Sequence, residues 1–186
     1  MITSSYRPLP GRFLISEPFM EDANFQRTVV LLVEHGDEGS LGFVLNRPLK
    51  VKIHEVVEEM PQIDSPVCLG GPVEQSMLQF VHKLEHLKNS RPISEKVFWG
   101  GDFEELQELI QTNQVNPEEI LFFIGYSGWA PGQLQHELDR KSWIIAPEND
   151  DAIFSSYPKS LWKDLLKNMG DKYKIISNYP VDPSLN

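Results

Sequence analysis

The chain has 186 residues, 40% of them hydrophobic, which suits one domain, or at most a core with an appendage. Its net charge of −10 has the wrong sign for the basic surface that non-specific nucleic-acid binding requires. The single cysteine, Cys68, excludes an internal disulfide and fits a reducing compartment. Residues 1–8 carry no apolar stretch of the kind found in a secretory leader. The longest apolar runs, residues 29–33 and 120–124, are too short to span a bilayer. A cytoplasmic, non-membrane protein is expected, a monomer or a weak dimer.

In chain order, residues 11–16 read as a first strand, closed by Pro18, and 22–27 as a polar loop. Residues 28–34 are rich in β-branched side chains and predict a second strand. His35-Gly36-Asp37-Glu38-Gly39-Ser40 predicts a turn, and residues 41–45 a return strand, making a hairpin. Asn46-Arg47-Pro48 stops it. Ile53, Val56, Val57 and Met60 then recur at helical spacing up to Pro61. Residues 66–69 predict a short strand entering Gly70-Gly71-Pro72, and 77–82 and 93–99 two more strands. Asp102 and Glu105 have capping-box spacing at the head of a helix striped by Leu106, Leu109 and Ile110. Asn116-Pro117 gives a cap and first-turn pair. The run 120–124 predicts a strand that breaks at Gly125, Gly128 and Pro131 into a tight glycine turn, followed by a helix over 133–140. A strand over 143–146, a helix over 159–169 stopped by Gly170, and a final strand over 173–177 complete the chain. The pattern predicts α+β: a single domain over 1–186, with a mixed or antiparallel sheet curled into a partial barrel and helices packed outside.

These motifs resemble the AlgH/YqgE family of uncharacterised bacterial proteins. Asp22 with Phe25-Gln26-Arg27-Thr28-Val29-Val30 looks like one family motif, and Glu34-His35, Gly42 and Asn46-Arg47-Pro48 like a second. Leu69-Gly70-Gly71-Pro72-Val73 with His82 looks like a third. Gly125-Tyr126-Ser127-Gly128-Trp129, then Gly132-Gln133-Leu134 with Glu137 and Trp143, completes the series. The resemblance implies a single α+β domain with a bent central sheet, a cytoplasmic location, and a family label of transcriptional regulation with no secure biochemical activity.

The residues themselves bear on several chemistries. Glu34-His35 at a hairpin mouth suits proton transfer, but no nucleophile stands beside it, so a turn-satisfying histidine is favoured. Ser127 invites comparison with the nucleophile elbow, but the second glycine, Gly128, comes one place early, so a serine-hydrolase reading is disfavoured. His82-Lys83-Leu84-Glu85-His86 matches a metal motif in letters, yet falls at a strand end and lacks a third ligand, so no metal and no cofactor is expected. Gly70-Gly71 could nest an anion, with a plain tight turn favoured. The stripe Lys159, Lys163 and Lys167 reads as a solvated helix face. The expected function is therefore a non-enzymatic binding or regulatory protein. Its cleft would be formed by Asn46, Arg47, Gly70, Gly71, Tyr126, Trp129, Gln133 and Glu137. There Arg47 would hold an anionic group of a small ligand or protein, and Trp129 would supply an apolar wall. The alternative is an enzyme using Glu34 and His35. Direct DNA binding is disfavoured by the acidic balance.

Overall fold

The computed structural model describes residues 6–155 and 158–181. Residues 1–5, on which the leader reading partly rests, lie outside them. Nine strands and six helices are formed among the described residues. β1 (Phe13–Ser16), β2 (Val29–Gly36) and β3 (Gly39–Val44) follow one another. β2 and β3 make the expected hairpin, with an irregularity between Leu32 and Glu34. The predicted helix after Pro48 shrinks to a single turn, α1 (Ile53–Val56), which buries Ile53. β4 (Val67–Leu69) and β5 (Val73–His82) come next. The strand expected over 93–99 is replaced by two short pieces, β6 (Arg91–Pro92) and β7 (Phe98–Trp99), joined by a turn in which the Ile93 amide bonds the Val97 carbonyl.

α2 (Phe103–Gln111) starts as predicted, Asp102 accepting from the Glu105 amide. Glu105 does not reach back to complete a capping box; its carboxylate binds the Lys88 amide and ammonium instead. Asn116 and Pro117 open a short 3-10 turn. β8 (Ile120–Trp129) then corrects the glycine-turn reading: the strand continues through Gly125 and Gly128. α3 (Gln133–Asp139), β9 (Trp143–Ala146), α4 (Asp150–Ile153) and α5 (Leu161–Asn168) follow. Residues 171–176 form α6 (Asp171–Ile176) where a last strand was expected. The helical turn seats Ile176 in the core and leaves Lys172 and Lys174 exposed.

The sheet order is β6-β7-β5-β8-β3-β2-β1-β9, with β4 added in parallel on β8. Alternation along each strand divides the apolar residues between two faces. Phe13, Ile15, Val29, Leu31, Phe43, Val81, Phe123 and Ile144 share one core with Leu161, Trp162, Leu165 and Leu166 of α5. On the other face, one half of the sheet carries α1 and α2 through Ile53, Leu106, Ile110, Ile120 and Phe122. The other half carries α3 through Leu14, Val30, Leu32, Trp129, Leu134 and Trp143. One cluster takes side chains from strands near both edges, so the sheet curls around it. The edges approach without pairing. A Cβ on Gly11 would stand 2.6 Å from the Ile93 carbonyl oxygen, and Ser94 donates to Asp150 at 3.0 Å. The result is an open, partly curled α+β sheet.

β8 is the strand both halves share. Its C-terminal end pairs with β3 as far as Gly42–Ser127, and its N-terminal end with β5. Beyond Ser127, β3 and β8 separate and β4 fills the fork. β4 pairs with Phe122, Phe123 and Ile124 on one side and bridges Pro48 through Cys68 on the other. Gly70-Gly71 closes the fork's apex.

Candidate functional site

The glycine pair is held by close backbone approach. The Gly70 amide donates to the Ile124 carbonyl, and its carbonyl accepts from the Val44 amide and the Ser127 hydroxyl. A Cβ on Gly70 would lie 2.4 Å from the Gly125 carbonyl oxygen, and one on Gly71 2.2 Å from the Tyr126 carbonyl. Ser127 is buried and spends its hydroxyl here. Tyr126 is half-buried against the inner core. Cys68 is buried in the same fork, where desolvation pushes its thiol up to about 12, so it is protonated at neutral pH.

Trp129, Gln133 and Glu137 form a second cluster on the outer face. One Glu137 oxygen accepts from the indole nitrogens of Trp129, at 2.8 Å, and Trp143, at 2.7 Å. The other accepts from the Gln133 amide at 2.9 Å, while Gln133 accepts from the Ala130 amide. Phe25 packs on both indoles, with centroids 6.4 and 5.4 Å away. Both indoles are buried, so this group fastens α3 to the sheet.

Glu34 and His35 stand at the hairpin end of β2. The exposed Glu34 carboxylate pairs with Arg91 of β6 at 3.6 Å, across the gap of the curl. His35 Nδ1 lies 2.7 Å from the Ser40 hydroxyl on the facing strand. Ser40 in turn pairs with Trp129, so His35 and Trp129 belong to one row across three strands.

His82 is fully buried. Its Nδ1 accepts from the Leu84 amide at 3.1 Å, which leaves Nε2 as donor to the Gly100 carbonyl at 2.7 Å. His86 is exposed, and among the described residues no group of three or more His, Cys, Asp or Glu is placed to hold a metal ion. Lys159, Lys163 and Lys167 are all exposed.

Asn46 and Arg47 behave differently from one another. Asn46 is buried and structural, accepting from the Val29 amide and donating to the Arg27 carbonyl. This joins the Asn46-Arg47-Pro48 stop to the Phe25–Val30 motif. Arg47 donates to the Gln26 carbonyl and lines a recess of 280 Å³ with Phe19, Met20, Glu21, Gln26, Arg27 and others. Arg27 escaped the sequence reading, although it sits inside a recognised motif. A second arginine there was the available signal. Its guanidinium lies 4.6 Å over the Trp162 ring and donates to the carbonyls of Tyr179 and Pro180 at 2.7 and 2.6 Å. Its Nε is buried and has no hydrogen-bond partner among the described residues. Burial lowers both guanidinium pKa values from their ordinary value. The ion pairs among the described residues join Lys52 to Asp64, Lys88 to Glu105, Arg91 to Glu34 and Lys167 to Asp164. None of them involves Arg27 or Arg47.

No helix among the described residues is long and apolar enough to cross a membrane. Residues 13–174 match a family model described as AlgH-like. The chain is 46% identical over 178 residues to a UPF0301 protein of Cytophaga hutchinsonii, covering 95% of this chain and 98% of that one. It is 39% identical over 178 residues to a UPF0301 protein of Chlorobium limicola, covering 95% of each. The solution structure of the AlgH protein from Pseudomonas aeruginosa is similar at a TM-score of 0.74 and 28% identity, over 97% of this chain and 98% of that one. A crystal structure of a Corynebacterium diphtheriae protein shares the fold at a TM-score of 0.78 and 23% identity, over 96% of this chain and 95% of that one. The chain belongs to the AlgH-like family.

Proposed function

We propose that this is a non-enzymatic binding protein of the cytoplasm, and that its recognition site is the recess between Arg27 and Arg47, which takes an anionic group. One observation carries the reading. Arg27 and Arg47, from separate motifs, line one recess of 280 Å³ together with a single acidic residue, Glu21, and among the described residues neither arginine forms an ion pair. In a chain of net charge −10, two unpaired arginines against one carboxylate, Glu21, leave the recess an excess of positive charge for an incoming anion. A guanidinium carries five N–H donors. Tyr179 and Pro180 take two from Arg27, and Asn46 and Gln26 take two from Arg47. The bonds of Asn46 to the Val29 amide and the Arg27 carbonyl, with the Leu69 amide on the Arg47 carbonyl, give that recess a fixed backbone frame. Regulation of a partner would follow from whether the recess is filled.

Thermal unfolding with phosphate, sulfate, citrate and acetate, at matched ionic strength, tests this. An anion at a hundred times its Kd stabilises by about 2.7 kcal/mol. The expected result is a clear rise in Tm for at least one anion, lost in Arg47→Gln and retained in part in Arg47→Lys. No rise with any anion, or the same rise in Arg47→Gln, overturns the reading.

A further inference from the structure

We infer that the occupant is an amphipathic carboxylate, with its head between Arg27 and Arg47 and its apolar body in the neighbouring recess under Phe19 and Tyr179. This rests on the anion reading above and names the ligand class. The second recess holds 230 Å³ and is walled by Phe19, Trp143, Ile144, Ile176 and Tyr179. Pro18 and Phe19 line both recesses, so the two share a wall. On the second-recess side, Phe19 of that wall stacks on Tyr179, with ring centroids 5.8 Å apart at 19°. Tyr179 is 40% exposed and Phe19 half-buried, so neither ring is locked in the core.

The polar end and the apolar end are linked through one residue. Arg27 grips the carbonyls of Tyr179 and Pro180, which sets the Tyr179 ring against Phe19. An acid whose carboxylate engages the guanidinium pair would compete for the same cation that holds the wall. Its apolar chain would then enter between the parted rings. A planar carboxylate suits the forked donors of arginine, and apolar walls favour a hydrocarbon over a second charge. Lys141 and Glu17 stand on the second recess as its charged residues, the Glu17 carboxylate accepting from the Phe19 amide at 3.2 Å, and a hydrocarbon body makes no demand on either.

The experiment titrates the full chain with acetate, butyrate, hexanoate and octanoate at constant ionic strength, by calorimetry and by backbone amide NMR. Affinity is expected to rise roughly threefold to fourfold per methylene buried, until the second recess is full. Octanoate should shift the amides of Ile144 and Ile176, whereas acetate should shift those around Arg27 and Arg47 alone. Arg47→Gln should weaken every member of the series by about tenfold. Equal binding of acetate and octanoate, with no response at Ile144 or Ile176, overturns the amphipathic ligand and leaves the anion site standing. Tight octanoate binding that Arg47→Gln does not weaken overturns the head-group assignment. Binding of phosphate but of no carboxylate overturns the inference while supporting the anion reading.

Discussion

Replacing Glu137 by alanine gives the sharpest test of the outer cluster. The substitution removes the acceptor shared by the Trp129 and Trp143 indoles, which are each 5% exposed. Neither N–H can turn to water without moving a buried ring. Each buried donor left without a partner costs about 1–3 kcal/mol. The Gln133 amide is exposed, so losing its bond to Glu137 costs little. Glu137→Ala should therefore destabilise by about 2–6 kcal/mol, a large part of the roughly 5–15 kcal/mol typical of a domain. Glu137→Gln keeps a neutral oxygen near the indoles and should lose about 1–2 kcal/mol. Urea unfolding followed by far-UV circular dichroism measures both, and a cycle with Trp143→Phe isolates the shared term. A Glu137→Ala midpoint equivalent to less than about 0.5 kcal/mol of loss would show that the indoles do not depend on this carboxylate.

Two further predictions follow from backbone approach and from burial. Gly71→Ala places a methyl group 2.2 Å from the Tyr126 carbonyl, so the variant should be largely insoluble or unfolded by circular dichroism. Gly36→Ala, with nothing within 4 Å, should fold like the parent; equal stability of the two variants refutes the fork geometry. For His82, burial lowers the pKa, against a smaller opposing effect of the Gly100 carbonyl. The folded value thus lies below the unfolded value of about 6.5. The stabilisation is complete above that unfolded value and is lost as pH falls through the folded one. Urea midpoints should drop on acidification from neutral pH, and His82→Gln should flatten that slope; parallel slopes for the two proteins refute it.

Local signals carried much of the fold. The β2–β3 hairpin was legible because its β-branched run and its glycine-rich turn lie next to each other. β9 was legible because apolar residues fill all four of its positions. β8 was not, because its glycines look like breakers. Gly125 is there because the backbone of Gly71 and Val73 approaches it from more than fifty positions away: a Cβ on it would stand 2.8 Å from both carbonyl oxygens. α6 was misread because Tyr173, Ile175 and Ile176 suit a strand until α5 supplies the surface Ile176 packs on. Within the candidate site, Arg47 was legible as a cation beside a proline stop. Arg27 was not, because Tyr179 and Pro180, which hold it, lie 152 and 153 positions later. Phe19 was missed for the same reason, since its ring partner is Tyr179.

The placement of β8 also bears on how the chain is made. Until residues 120–129 leave the ribosome, β3 and β5 each have an open edge, and β4 has no parallel neighbour. A nascent chain shorter than that carries two half-sheets with sticky margins, the configuration most prone to joining the wrong molecule. Arrival of a single ten-residue segment covers both margins and joins the halves into one sheet, so mispairing is expected chiefly in chains that have not yet reached it.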